Sequence, residues 1–273
     1  MNFKKIILIT GVSSGIGESF VKKITQMHVD YMIVGLGRNN INEFEAKNFI
    51  FIKVDMENVE EIKNAVDTIL NEFGRVDVII NNAGFAYKST IEDMNFDEMD
   101  KQFRVNVYAP ITLIRMLLPS MRENKAGHII NVSSIATVVS TPTLGYYAAT
   151  KSVLDKLSEV LREEVKKWNI KVSIFSPGSV KSNFGKNIKE VNNFSSSVYK
   201  DTYESWERRF RYFFKDRVTQ EEAAIELITM LDNPKSNYFF QFRDKKILFA
   251  KRFLPLKLFN KLILNYFYKD ETK

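Results

Sequence analysis

The chain has 273 residues, 45% of them hydrophobic, a formal net charge of +7 and no cysteine. That size fits one domain with a sizeable core, and the missing cysteine excludes disulfides and cysteine-held metals. Two separated histidines, His28 and His128, make no zinc site, so no metal is expected. Between Lys245 and Lys273 eight basic residues face two acids, which leaves the rest of the chain near neutral. No nucleic-acid partner is expected from that distribution. Strand-forming residues begin at Lys4 with no cleavage-type site behind them, and no apolar run nears the roughly 20 residues needed to span a bilayer. The expected location is cytoplasmic.

Apolar runs alternate with helical patterns from the start, the signature of βαβ units and a parallel sheet. Strands are predicted near 5–10, 31–36, 49–54, 76–81, 127–132 and 171–175, with a seventh near 237–242. Helices are predicted near 15–28, 57–73, 97–123 and 147–168. The first strand, Ile6-Ile7-Leu8-Ile9, runs into Thr10-Gly11-Val12-Ser13-Ser14-Gly15-Ile16-Gly17 and then an amphipathic stretch from Glu18. Glycines let the backbone turn tightly and approach a ligand, and the helix start offers N–H groups to a pyrophosphate. The fourth strand ends Asn81-Asn82-Ala83-Gly84, and the fifth delivers Ser133 and Ser134. Tyr147 and Lys151 then lie four apart, on one face of a helix. A nearby ammonium favours phenolate, so Lys151 is expected to lower the Tyr147 pKa from about 10.

These pieces resemble the short-chain dehydrogenases/reductases in single-domain form. The resemblance rests on Thr10-Gly-x-x-x-Gly-Ile-Gly17, Asn81-Asn-Ala-Gly84, Asn106, Ser134, Tyr147-x-x-x-Lys151 and Pro177-Gly178, in the family's order over the first two-thirds of the chain. It implies a three-layer, doubly wound parallel sheet (a Rossmann fold) of about seven strands, with a C-terminal helical extension. The domain is expected over 1–250, with a substrate lid at 183–217 and a basic amphipathic helix over 251–273.

The resemblance also implies roles. Tyr147 protonates the developing alkoxide, Ser134 holds the carbonyl oxygen beside it, and Lys151 tunes the tyrosine and reaches the nicotinamide ribose. Asn106 supports a water relay to Lys151. The nucleotide is expected on Gly11, Ser13, Ser14, Gly15, Ile16, Gly17, Arg38, Asp55, Asn82, Ala83, Gly84, Pro177, Gly178, Val180 and Ser182, together with Tyr147 and Lys151. Gly37 stands where NAD-preferring relatives carry a carboxylate, and Arg38 follows it, so NADP(H) is favoured over NAD(H), with dual use as the alternative.

The expected reaction is reduction of a ketone or aldehyde, or the reverse alcohol oxidation. Tyr199, Tyr203, Trp206, Phe210 and Phe213 recur at helical spacing, which suits either a pocket wall for a hydrophobic or lipid-like substrate or a helix packing its apolar face on the domain body. Phe85 and Tyr87 add to that pocket. Leu258, Phe259, Leu262, Ile263, Tyr266 and Phe267 mark an apolar face beside lysines, which raises peripheral membrane contact against burial on a subunit or the active site. The helices near 97–123 and 147–168 resemble the family's subunit-pairing helices and imply a homodimer or homotetramer. The competing classes are a non-catalytic NADPH-binding sensor or scaffold, and a membrane-surface interaction protein on the same fold.

Overall fold

The computed structural model describes residues 3–139, 141–181, 184, 188–190, 196–213, 218–240 and 242–268. Seven parallel strands form the central sheet: β1 (Lys5–Thr10), β2 (Tyr31–Gly37), β3 (Phe49–Lys53), β4 (Val78–Asn81), β5 (Gly127–Val132), β6 (Ile170–Ser176) and β7 (Asn237–Phe239). Their spatial order is β7-β6-β5-β4-β1-β2-β3, so the chain winds outward from β1 in both directions. The reversal between β1 and β4 leaves a crevice at the strands' carboxyl ends, where such sheets bind ligands.

The strand sequences explain the burial. β2 is buried along its whole length and β1 at every residue after Lys5, because helices cover both faces. One layer holds α2 (Val59–Phe73), α4 (Ala109–Glu123) and α5 (Gly145–Val165); the other holds α1 (Gly15–Met27) and α7 (Gln220–Asp232). Local signals fix the ends. Asn58 accepts hydrogen bonds from the Glu60 and Glu61 amides at the start of α2, and left-handed Gly74 closes it. Thr219 and Glu222 form a reciprocal cap on α7.

The helix predicted over 97–123 is interrupted. α3 (Phe96–Phe103) passes into a π-helical turn at Arg104–Tyr108 before α4 begins. Pro110 has no N–H for the carbonyl of Asn106 four residues earlier, and the widened turn is the backbone's answer. Such turns cluster at functional sites, and this one carries Asn106.

Beyond the sheet lie α6 (Lys200–Phe213), α8 (Phe242–Phe253) and α9 (Leu256–Tyr268). The single tail helix expected over 251–273 is here a pair that starts at Phe242 and breaks before Leu256, with Pro255 in the joint. Two short parallel pairings, Tyr87–Lys88 with Lys189–Glu190 and Val180–Lys181 with Val218–Thr219, tie the region after β6 to the body. Among the described residues no helix is long and apolar enough to cross a membrane.

Candidate active site

The site starts at the turn after β1. Gly11 has φ +74, and a Cβ there would lie 2.8 Å from Ala83 Cα; one on Gly17 would lie 2.2 Å from the Gly11 carbonyl oxygen. Neither position has room for a side chain. Thr10 Oγ1 accepts hydrogen bonds from the amides of Asn82 (3.1 Å) and Ala83 (2.9 Å). The Asn82 side chain donates to the carbonyls of Thr10 (2.9 Å) and Gly11 (3.0 Å). The glycine turn and the Asn81–Gly84 segment are thus one clamped unit at the crevice.

That unit opens onto a cleft of about 730 Å³. Ser13, Ser14, Gly15 and Ile16 line it where α1 begins, as do Asn82, Ala83 and Gly84. Gly37, exposed Arg38 and Asp55 stand at one end, and Pro177, Gly178 and Val180 at the other. Gly17 lies under the loop against Gly11 rather than on the wall. Ser182 falls outside the described residues. Free N–H groups at the start of α1, tight glycines and a guanidinium at the far end form a cradle that fits a nicotinamide dinucleotide.

The buried face of α5 carries the chemistry. A polar ladder seats the helix: Asn81 donates to Asn131 (2.7 Å), Asn131 to Ser158 (2.7 Å), and Ser158 to the Leu154 carbonyl (2.6 Å). Tyr147 and Lys151 then point into the cleft, 8% and 4% exposed. Lys151 Nζ donates to the Val132 carbonyl at 2.7 Å. Tyr146, the neighbouring phenol, instead donates to the Ile91 carbonyl at 3.1 Å. Ser134 caps a short 3-10 turn, accepting from the Ala136 amide at 3.2 Å, and lies on the cleft beside Tyr147.

The electrostatics correct one expectation. Burial pushes the Tyr147 phenol up to about 12, and the Ser134 hydroxyl draws it part of the way back. Lys151 does not hold it below 10, because the ammonium is itself dehydrated and committed to Val132. Burial drops Lys151 to about 8, against the pull of Asp155 one turn further along α5. For both groups desolvation is the largest cause. Asp155 was not anticipated; burial lifts its carboxyl, while the hydroxyls of Ser133 and Thr137 and the charge of Lys151 oppose the lift. Its spacing, four residues past Lys151, was the available signal.

Asn106 is fully buried behind the cleft. Its amide accepts from the Phe85 N–H (3.1 Å) and donates to the Phe85 carbonyl (2.9 Å) and to Thr150 Oγ1 (3.1 Å). It therefore locks the segment after β4 onto α5, next to Gly84, whose missing Cβ would sit 3.4 Å from Lys151 Nζ.

The remaining wall is apolar. Ile135, Ala136, Val139, Leu144, Phe184 and Ile188 line it, and the Phe184 ring lies 5.6 Å from that of Tyr147. Phe85 also lines the cleft, with Tyr87 buried edge-on behind it at 5.3 Å. Trp206 of α6 packs in a cluster with Ala86, Leu144 and Tyr147. Tyr203, one turn earlier, accepts from the Thr90 amide (2.9 Å) and donates to Asp93 (2.8 Å). Buried Lys88 pairs with Glu207 of α6 (2.7 Å) and with Glu190 (3.1 Å). Sequence spacing gave the stripe on α6; Lys88 carried no signal. The side chains of Phe210, Phe213, Tyr266 and Phe267 lie outside the described residues.

Comparison with known proteins gives a consistent picture. The short chain dehydrogenase family profile matches residues 5–193. The chain is 34% identical over 190 residues to a 3-ketodihydrosphingosine reductase of Bacteroides thetaiotaomicron, covering 68% of this chain and 69% of that protein. It is 29% identical over 259 residues to the probable short-chain type dehydrogenase/reductase VdlC of Helicobacter pylori, covering 93% and 95%. A solved short-chain dehydrogenase of Streptomyces avermitilis superposes with a TM-score of 0.81 at 26% identity, covering 98% of each chain.

Proposed function

The chain belongs to the short-chain dehydrogenase family and is an NAD(P)-dependent oxidoreductase of carbonyl and alcohol groups; from that premise we propose that it is an NADPH-dependent reductase of apolar, lipid-like ketones or aldehydes. The observation that carries this reading is one cleft that holds Arg38 at one end and Ser134, Tyr147 and an apolar wall at the other.

The glycine turn, the start of α1 and Arg38 would hold a reduced nicotinamide dinucleotide, which would supply the hydride. This chain's residues supply the rest. Ser134 Oγ orients the carbonyl oxygen toward Tyr147. The Tyr147 O–H bond breaks as the proton moves to the developing alkoxide, and the buried ammonium of Lys151 faces the resulting phenolate. A phenol raised to about 12 remains a far stronger acid than an alcohol, and it stays protonated across the neutral range. Asn106 acts through Phe85 and Thr150, holding Gly84 and α5 in register.

Arg38 supports the preference for the 2′-phosphate, since no carboxylate stands at Gly37 to repel it. Lipid character is supported by the apolar wall and by the similarity to the Bacteroides 3-ketodihydrosphingosine reductase. An exposed stripe of Val153, Leu157 and Val160 on α5 supports a homodimer or homotetramer. The test is a pair of titrations on wild type and Arg38→Ala. NADPH affinity is expected to fall about tenfold to a hundredfold, as for a lost charge-assisted contact. NADH affinity is expected to hold. Equal losses for both nucleotides would remove Arg38 from the role.

A further inference from the structure

The C-terminal helix pair turns apolar side chains outward while packing others inward. Among the described residues, six large apolar side chains are exposed between Leu248 and Leu262: Leu248, Phe249, Phe253, Leu256, Leu258 and Leu262. Phe249 and Phe253 are one turn apart on α8, 66% and 64% exposed, with ring centroids 4.4 Å from each other. Leu258 and Leu262 repeat the spacing on α9. The opposite face is used inward. Ile247 and Ile263 pack on Ile135, Val138 and Val139, Phe259 is buried, and Lys251 donates to the Val138 carbonyl at 2.9 Å. The outward apolar rows are therefore left over after the core contact is made.

The charge is as one-sided as the exposure. From Lys245 to Lys261 the sequence holds six basic residues and no acid. Lys257 and Lys261 flank the Leu258–Leu262 row, and Lys245 and Arg252 flank the Phe249–Phe253 row, all exposed. A second copy meeting this patch about a two-fold axis would bring basic face against basic face, an arrangement that like charge opposes. An anionic bilayer answers both features at once. Its headgroups attract each nearby Lys or Arg, and its acyl boundary takes the Phe and Leu side chains while the long cations reach back to the surface.

We propose that α8 and α9 form a docking surface for an anionic lipid bilayer, lying in its interface rather than crossing it. The location gives the contact a use. Ile135 and Val139, against which the two helices pack, also line the cleft, and α9 neighbours α6, whose Trp206 packs with Tyr147. The bilayer thus meets the protein beside the apolar end of its own site. Binding to vesicles is read separately from turnover, so the proposal stands or falls without the assigned reaction.

The experiment is co-sedimentation of the full chain with phosphatidylcholine vesicles, alone and with about a third phosphatidylglycerol. The protein is expected to pellet with the anionic vesicles, to stay in solution with the neutral ones, and to be released by salt. Phe249→Ser with Phe253→Ser, and Lys257→Glu with Lys261→Glu, are each expected to weaken partitioning about tenfold or more. Both variants avoid Lys251 and the inward face, and an unchanged NADPH-dependent melting shift shows that they fold. Equal pelleting with neutral and anionic vesicles, no pelleting with either, or double variants that pellet like wild type would each overturn the proposal. So would light scattering that shows a dimer abolished by the serine pair while wild type ignores vesicles, since that makes a second copy the occupant.

Discussion

At the nucleotide end of the cleft the walls are backbone: glycines at 11, 15 and 84, the amides opening α1, and a clamp of Thr10 and Asn82. At the substrate end the walls are side chains from Ile135 to Ile188, braced by Trp206 and Lys88. The first end is made of residues a few positions apart, plus one contact to the Asn82 segment. The second depends on pairings such as Lys88 with Glu207, 119 residues apart in sequence. A cradle of backbone groups tolerates almost no added atoms but ignores most side-chain chemistry. A wall of side chains can be rebuilt for another substrate without disturbing the cradle. Nucleotide binding is expected to depend on the backbone end, and proton transfer and substrate choice on the side-chain end.

The substitution with the largest expected effect separates the ends at their meeting point. Tyr147→Phe keeps the ring against Phe184 and Trp206 and removes only the proton. Turnover is expected to fall about a thousandfold or more, with NADPH affinity unchanged in a fluorescence titration. Retained turnover would end the role given to Tyr147.

Gly17→Ala tests the backbone cradle. Its Cβ would lie 2.2 Å from the Gly11 carbonyl oxygen, so the turn must shift, at a cost of about 3 kcal/mol. Urea unfolding and nucleotide binding should both suffer, whereas the choice among carbonyl substrates should not change.

A control lies outside both ends. His128, at the start of β5, bonds Ser173 Oγ at 2.9 Å. Burial, helped by Lys5 and Lys171, lowers its pKa from 6.5 to about 4. The unfolded chain therefore binds this proton first. Stability is unaffected by this group above pH 6.5, falls as pH drops from 6.5 to 4, and loses about 3 kcal/mol in all. His128→Gln should flatten that limb in urea unfolding at a series of pH values, while both ends of the cleft keep their function at neutral pH.

The smallest effect belongs to the ties between Lys88 and the segment after β6. Lys88→Met keeps the buried stem and removes the ties to Glu190 and Glu207. The KM for an apolar carbonyl is expected to rise several-fold, with little change in NADPH affinity. A loss confined to NADPH would show that the two ends are not separable in this way.

The same division explains what the sequence revealed. The strands from Lys5 to Ser176 fall within two residues of their predicted bounds, because buried parallel strands read as continuous apolar runs. Ser134, Tyr147 and Lys151 were legible as motifs and do face one cleft. What the spacing of Tyr147 and Lys151 could not give was the dielectric around them. Periodicity places two side chains on one face but does not reveal that burial will dominate, or that Lys151 reaches Val132. The π turn at Arg104–Tyr108 was hidden because α3 and α4 share one helical pattern; Pro110 and the helix-unfavourable Asn106 were its marks. α7 was overlooked although Thr219-x-x-Glu222 is a readable cap. Lys88 could not be found at all, since its partners lie a hundred residues downstream.

Lys251 and its bond to the Val138 carbonyl carry a consequence for biosynthesis. Every motif residue from Gly11 to Gly178 has left the ribosome well before α8 has. A nascent chain halted short of Phe242 holds the glycine turn, Ser134, Tyr147 and Lys151, yet lacks Ile247 and Ile263, which back the Ile135–Val139 loop. The nucleotide end can therefore mature during translation, while the carbonyl end is completed only once α8 and α9 have followed.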